Sequence, residues 1–230
     1  MEPEDFALQR MRACSDFAHR ARHELMTPVS GLTMLMSVMR RDDAQMAAML
    51  DEASSGLQRM TRIARACVEY VDADLPLPSL SAVDCNAVFA EAEAMVRRSG
   101  EAKFERADIE VRGSLPAVKG HVPALRRVFA ALLDNAIRYT TEMPAHVAVS
   151  AVADGDAWRF EFADRGCGIE TANLESVFTP FERLHAWDAI QGVGLSLATA
   201  RRIVGRHGGR MGLRARAGGG TIAWLTLLRV

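Results

Sequence analysis

The chain has 230 residues, 49% apolar and 25% charged, with a formal net charge of −1. That balance excludes wholesale disorder and leaves no global field to recruit nucleic acid or an anionic membrane, so neither is expected as a partner. Four cysteines, Cys14, Cys67, Cys85 and Cys167, form no C-x-x-C pair, which argues for a reducing compartment over a zinc site or disulfide framework.

The longest uncharged run, 26–39, is too short to span a bilayer, and the opening "MEPEDF" is acidic rather than basic. A cytoplasmic chain, or a cytoplasmic piece of a longer one, is the expectation. The basic residues are nearly all arginine; Lys103 and Lys119 are the only lysines.

Residues 4–72 contain one proline and two glycines and read as helix nearly throughout. Met11, Cys14, Ala18, Ala21, Leu25, Pro28, Leu32, Leu35 and Met39 recur at spacings of three and four, a heptad seam. After "RRDD" the pattern restarts with Met46, Leu50, Ala53, Leu57, Met60, Ala64, Cys67 and Val71. Two helices joined by a short polar connection predict an antiparallel hairpin. Two helices alone leave much of their apolar stripe uncovered, so pairing of two copies into a four-helix bundle, a homodimer, is expected, the alternative being that the hairpin packs on the rest of its own chain.

The stretch "RHELMTPVSG" (22–31) lies on the first helix and comes close to the zinc-protease pattern H-E-x-x-H. Thr27 stands where the second histidine would be, so that reading lacks a ligand. With Leu25 on the seam, His23 falls on the solvent side, with His19 and Thr27 one turn away on the same face. Pro28 is expected to kink or loosen the helix just past the histidine.

"DADLPLPS" (73–80) breaks the helical pattern, giving expected boundaries of 1–73 for the hairpin, 74–81 for a linker and 82–230 for a second domain. There, "AVFAEAEAMVRR" and "VPALRRVFAALLDNAIRY" have helical periodicity. "HVAVSAVA" (146–153) and "AWRFEFAD" (157–164) alternate as strands about Gly155, and "MGLRARA" and "TIAWLTLL" pair about Gly218-Gly219-Gly220. The expected architecture is helices on one face of a largely antiparallel sheet.

Three clusters in this region bear on chemistry. In "LLDNAIRYT" (132–140), Asn135 is an amide among apolar residues, either a ligand for a hard cation or a polar residue on an amphipathic helix. "DRGCGI" (164–169) follows a strand; Asp164 can accept from an exocyclic amine, and Gly166 and Gly168 permit close ligand approach, though D-x-G-x-G alone is a weak signal. "GVGLSLATARRIV" (192–204) opens a helix with Gly192 and Gly194, where free amides favour a phosphate, yet no P-loop lysine follows. Between them, "VFTPFERLHAWDAIQ" (177–191) reads as a lid or a surface loop.

In order and spacing, "HELMTPVSGL", "LLDNAIRYT", "DRGCGI", "VFTPFERL" and "GVGLSLA" resemble the H, N, G1, F and G2 boxes of the catalytic core of bacterial two-component sensor histidine kinases. The resemblance implies a dimeric phosphoacceptor hairpin followed by a GHKL-type ATP-binding domain, the Bergerat α/β sandwich. It implies autophosphorylation of His23 by ATP, with Glu24 orienting or deprotonating the imidazole. The phosphoryl group would then pass to an aspartate of a response-regulator receiver domain. Thr27 occupies the position that in this family orients water, so phosphatase activity toward that regulator is a further expectation.

The resemblance assigns Asn135 to magnesium and Asp164 to the adenine amino group, with Gly166, Gly168, Gly192 and Gly194 admitting the nucleotide. It places Arg138 and Tyr139 beside the phosphates and ring, and Arg183 against phosphate charge; Ile169, Phe181, Leu195, Ser196 and Thr221 complete the expected nucleotide site. Two departures stand out: Ala131 replaces a second asparagine, and Ser196 the third glycine of the G2 box. Ala131 keeps an alternative open, a phosphorelay or scaffold module whose nucleotide domain has weak or absent kinase activity.

Overall fold

The structure, a computed structural model, describes residues 16–17, 20–32, 34, 43–75, 77, 79–98, 101–140, 142–184 and 192–230. The chain divides into two compact units, Met1–Glu69 and Tyr70–Val230. No helix among the described residues is long and apolar enough to cross a membrane.

In the first unit, helix α1 covers 20–32 and α2 covers Asp43–Asp72. A Cβ on Gly56 would lie 3.5 Å from the Leu32 side chain, and the Glu24 carboxylate acts on Cys67. Rising numbers in one helix therefore meet falling numbers in the other, so the two run antiparallel. The helix continues through Pro28, where the expected kink would cost a single amide bond to the Glu24 carbonyl. Just before it, the Thr27 hydroxyl donates to the His23 carbonyl at 3.0 Å.

The seam expected on α2 is split. Ala53, Met60 and Cys67 are half-buried, whereas Leu50, Leu57 and Val71 are 55%, 56% and 51% exposed. Ile63 and Tyr70, off that seam, are buried, 0% and 6% exposed. Thus α2 carries two apolar stripes, and a single heptad reading merged them. On the first helix, Met11, Cys14, Ala18, His19, Leu35 and Met39 lie outside the described residues.

The second unit runs β1 (Ser81–Asp84), α3 (Cys85–Arg97), α4 (Ala102–Glu105), β2 (Asp108–Arg112), β3 (Ala117–Gly120), α5 (Val122–Arg138), β4 (His146–Asp154), β5 (Ala157–Asp164), α6 (Ser196–Arg206), β6 (Met211–Ala215) and β7 (Thr221–Leu228). The main sheet has the order β2-β4-β5-β7-β6, antiparallel except for the β2–β4 pair, and β1 pairs with β3 separately. The local causes are legible. Gly155 takes φ +58 in the β4–β5 turn, Pro123 sits in the first turn of α5, and the Asp84 side chain caps α3 by accepting from Asn86 N at 2.9 Å.

Helix α5 packs on β4 and β5, and α6 on α5, β6 and β7. Alternate residues Val147, Val149, Phe160, Phe162, Leu225 and Leu227 are buried on the helix side of the sheet. At the centre, the Phe129 ring lies 5.6 Å from Phe160, 5.7 Å from Phe162 and 6.3 Å from Phe89. That one residue joins α3, α5 and two positions of β5. The last turn of α2 belongs to this unit: the Arg202 guanidinium of α6 lies 3.9 Å over the Tyr70 ring and pairs with Asp74.

Candidate functional site

The residues expected to do chemistry fall into two groups, one in each unit. On α1, the His23 side chain is 78% exposed, and its Nδ1 lies 3.9 Å from Glu24 Oε1, whose side chain is 17% exposed. A sheltered carboxylate beside a solvent-facing imidazole leaves the far ring nitrogen, Nε2, open to a reactant. Thr27 is exposed one turn on. Glu24 and burial both push the Cys67 thiol of α2 above its ordinary range, burial more strongly.

In the second unit the backbone builds the site. Strand β5 ends at Asp164, whose Oδ1 accepts from Gly166 N at 2.8 Å and from Thr221 N at 2.9 Å. No described residue donates to Oδ2, which leaves one oxygen able to accept from an amine. Burial raises the Asp164 carboxyl above the usual carboxylate range, opposed by these two backbone bonds and by Arg216.

The glycines around Asp164 are held there by space. A Cβ at Gly166 would stand 2.6 Å from the Tyr139 carbonyl oxygen, and one at Gly220 only 2.3 Å from the Asp164 carbonyl oxygen. Gly220 also takes φ +92. It was read from sequence only as part of a turn, because its clash is with a residue far away in the chain. The Arg216 guanidinium, likewise missed, donates to the Asp164 carbonyl at 3.3 Å.

The end of α5 meets this loop directly. Cys167 N donates to the Tyr139 carbonyl at 3.1 Å, and Thr140 bridges to Gly166. The Tyr139 ring is half-buried, and its hydroxyl lies 4.0 Å from where a Cβ on Gly192 would stand. Burial raises the Tyr139 phenol above its ordinary range, with Arg183 and Arg138 pulling the other way. Asn135, a turn earlier, has a side-chain Nδ2 that is buried without a hydrogen-bond partner. Such a donor is costly to leave unmet, so it fits an acceptor supplied by a ligand.

Arg138 was expected beside the phosphates. Its Nε and Nη2 grip both oxygens of Asp134 at 2.9 and 2.7 Å, and its guanidinium sits 5.1 Å over the Phe104 ring. The guanidinium is thereby committed to a neighbour on its own helix.

The glycine pair before α6 is tied to the segment that follows the β4–β5 pair. Phe181 N donates to the Gly194 carbonyl at 2.9 Å, and a Cβ on Gly194 would stand 2.8 Å from the Glu182 carbonyl oxygen. Gly194 has φ +76, and Phe181, unusually for a residue with a side chain, has φ +65. Leu195 is the N-cap and is 2% exposed, while Ser196 opens α6 on the exposed side. No side chain caps α6, so its first amides have no side-chain acceptor from the N-cap, a terminus that suits an anion. Ile169 and Arg183 are half-buried, and residues 185–191 of the expected lid lie outside the described residues.

Comparison with known proteins accords with this geometry. Residues 120–230 match the family described as histidine kinase-, DNA gyrase B- and HSP90-like ATPases. The phytochrome-like protein Cph1 of Synechocystis sp. is 29% identical over 216 residues, covering 92% of this chain and 28% of the relative. The alginate biosynthesis sensor protein KinB of Pseudomonas aeruginosa is 27% identical over 231 residues, covering 97% of this chain and 38% of its own. The chain thus spans about a third of the length of these relatives. Among solved structures, histidine kinase ThkA in complex with the response regulator TrrA is similar with a TM-score of 0.75 over 96% of this chain and 64% of that one, at 16% identity, which shows the fold. Residues 120–230 thus match the histidine kinase-, DNA gyrase B- and HSP90-like ATPase family, in a chain that resembles the catalytic core of the bacterial two-component sensor histidine kinases.

Proposed function

We propose that this chain is the core of a sensor histidine kinase that transfers the γ-phosphoryl group of ATP to His23. The observation that carries the reading is the 78% exposed His23 with a sheltered Glu24 carboxylate at 3.9 Å, in a chain that also holds an ATPase domain. The Nε2 lone pair of the neutral imidazole attacks phosphorus as the bond to the ADP oxygen breaks, and Glu24 takes the Nδ1 proton or holds it through a hydrogen bond.

In the ATPase domain, Asp164 Oδ2 accepts from the adenine amino group, and the Gly192–Ser196 backbone with the first amides of α6 receives phosphate oxygens. Asn135 would hold magnesium through its amide carbonyl oxygen, a hard donor suited to that cation. When bound, magnesium neutralises phosphate charge. The unpartnered Asn135 Nδ2 fits an acceptor such as a phosphate oxygen, while the amide carbonyl oxygen is the atom that would face the cation. Arg183, half-buried near Tyr139, would meet charge as it develops on the transferring group.

Phosphorylated His23 then serves an aspartate of a separate receiver domain, the class of partner that ThkA binds in its complex. Thr27 would position water for the reverse task, removing phosphate from that partner. Pairing of two chains through the exposed stripe containing Leu50, Leu57 and Val68 would complete a four-helix bundle.

A second reading rests on Ala131, half-buried against the core where the kinases carry an amide. It describes a phosphorelay module that binds nucleotide but phosphorylates His23 weakly. Incubation with γ-labelled ATP and magnesium distinguishes the two. The kinase reading expects acid-labile label on the wild-type chain that is lost in His23→Ala. An unlabelled wild-type chain that still binds MgADP contradicts it and favours the relay.

A further inference from the structure

We infer that Lys103, outside every sequence motif, is the residue that positions the end of α5 for nucleotide binding. Lys103 lies on the single-turn helix α4, with its Nζ donating to the Arg138 carbonyl at 2.8 Å and to the Thr140 carbonyl at 3.0 Å. The carbonyl between them, on Tyr139, accepts from Cys167 N of the Asp164 loop. Three consecutive carbonyls are therefore fixed, the outer two by one ammonium and the middle one by the adenine-facing loop.

The arrangement has a physical cause. A helix ends with carbonyls that lack intrahelical donors and with the negative end of its dipole, and a lysine ammonium satisfies both needs. Phe104, next to Lys103 and 0% exposed, fixes α4 in the core, so the ammonium is delivered from an anchored point. The Arg138 guanidinium, 5.1 Å over that same ring and bound to Asp134, braces the opposite side of the turn. Burial, and then Arg138, lower the Lys103 ammonium below its ordinary range, opposed by Glu101 and Cys167.

Asn135 and Tyr139 sit on the turn so held. Tyr139 N closes the helix on the Asn135 carbonyl at 3.2 Å. Without the ammonium, the Arg138 and Thr140 carbonyls lose their donor. The segment 138–140 is then less firmly held against Gly166, where a Cβ would stand only 2.6 Å from the Tyr139 carbonyl oxygen and any shift alters a close backbone contact. Lys103 touches no reacting atom in this account; it acts through Asn135 and Tyr139.

The inference rests on the nucleotide reading above and is tested by titrating MgADP into the full chain by calorimetry, with thermal melts alongside. Wild type binds; Lys103→Met binds about tenfold more weakly, the effect of losing a charge-assisted hydrogen bond's support. Lys103→Arg, which keeps the charge and the donors, restores most of the affinity. Lys119→Met, an exposed lysine on β3, is unchanged. A Lys103→Met chain that melts lower yet binds MgADP as wild type does would overturn the positioning role and leave only a structural one. Failure of the wild-type chain to bind MgADP would overturn the nucleotide reading itself, and this inference with it.

Discussion

The two units place their functional groups by opposite means. In the helical unit, His23 stands exposed on a helix surface with the Glu24 carboxylate 3.9 Å away. In the ATPase unit, Asp164, Tyr139 and Gly194 are fixed by backbone hydrogen bonds from loops distant in sequence, and several neighbours must be glycine because a Cβ would collide. A group that must be visited by another domain is left accessible. A group that must recognise a small ligand is preorganised. Mutations should therefore be felt as chemistry alone in the first unit and as chemistry mixed with folding in the second.

The largest effect expected on the folding side is at Phe129. Replacing this ring by alanine opens the junction of α3, α5 and β5 and should cost about 3–5 kcal/mol, read as a lowered urea midpoint by tryptophan fluorescence. A loss below about 1 kcal/mol would mean that the core can collapse around the gap, against the packing described.

Next come two substitutions, one beside Asp164 and one at it. Gly220→Ala forces a Cβ to within 2.3 Å of the Asp164 carbonyl oxygen at a φ of +92, and strain of about 1–3 kcal/mol should displace Asp164 and weaken MgADP. Asp164→Asn keeps the shape but removes the charged acceptor, so binding should fall about 10- to 100-fold, and discrimination against a purine lacking the 6-amino group should narrow. Unchanged discrimination would remove Asp164 from adenine recognition.

A smaller effect concerns acid stability. His207 is 1% exposed, with Nδ1 2.8 Å from the Ile203 carbonyl and Nε2 accepting from His121 N–H at 3.1 Å. Those partners require the neutral ring, with the proton on Nδ1. Burial first, and His121 after it, depress its basicity in the fold, opposed by the Ile203 bond. The unfolded chain then binds more protons. Stability is complete above the ordinary histidine value of 6.5 and falls below it by at most about 1.4 kcal/mol per pH unit. His207→Gln should flatten that slope between pH 6.5 and the depressed folded value in urea titrations. An identical slope would place the acid lability elsewhere.

The smallest effect on stability, and the most specific in chemistry, is at Thr27. Its hydroxyl donates to the His23 carbonyl on an exposed surface, so Thr27→Ala should leave folding and His23 labelling nearly intact. Dephosphorylation of the receiver partner should slow. Unchanged dephosphorylation would confine Thr27 to a helix-surface role.

The same contrast explains what could be read from the sequence. The strand pairs 146–153 with 157–164 and 211–217 with 221–228 were legible, because alternation and turn glycines are local; the structure gives His146–Asp154, Ala157–Asp164, Met211–Ala215 and Thr221–Leu228. The exposure of His23 followed from the position of Leu25 in the repeat. The split seam of α2 was not legible, since Leu57 and Ile63 are equally apolar and only packing separates them. Lys103, Arg216 and Gly220 were missed for a different reason. Each acts on a carbonyl more than 35 positions away, or nearly so, and no local pattern records such a bond.

The central claim is that His23 receives phosphate while the Asp164 site supplies it, two separable duties within one chain. The most direct measurement pairs γ-labelled ATP labelling with MgADP titration on wild type, His23→Ala and Asp164→Asn. His23→Ala should bind MgADP like wild type but carry no acid-labile label, and Asp164→Asn should lose binding and label together. Acid-labile label persisting in His23→Ala, or full labelling in Asp164→Asn with MgADP binding lost, would contradict it.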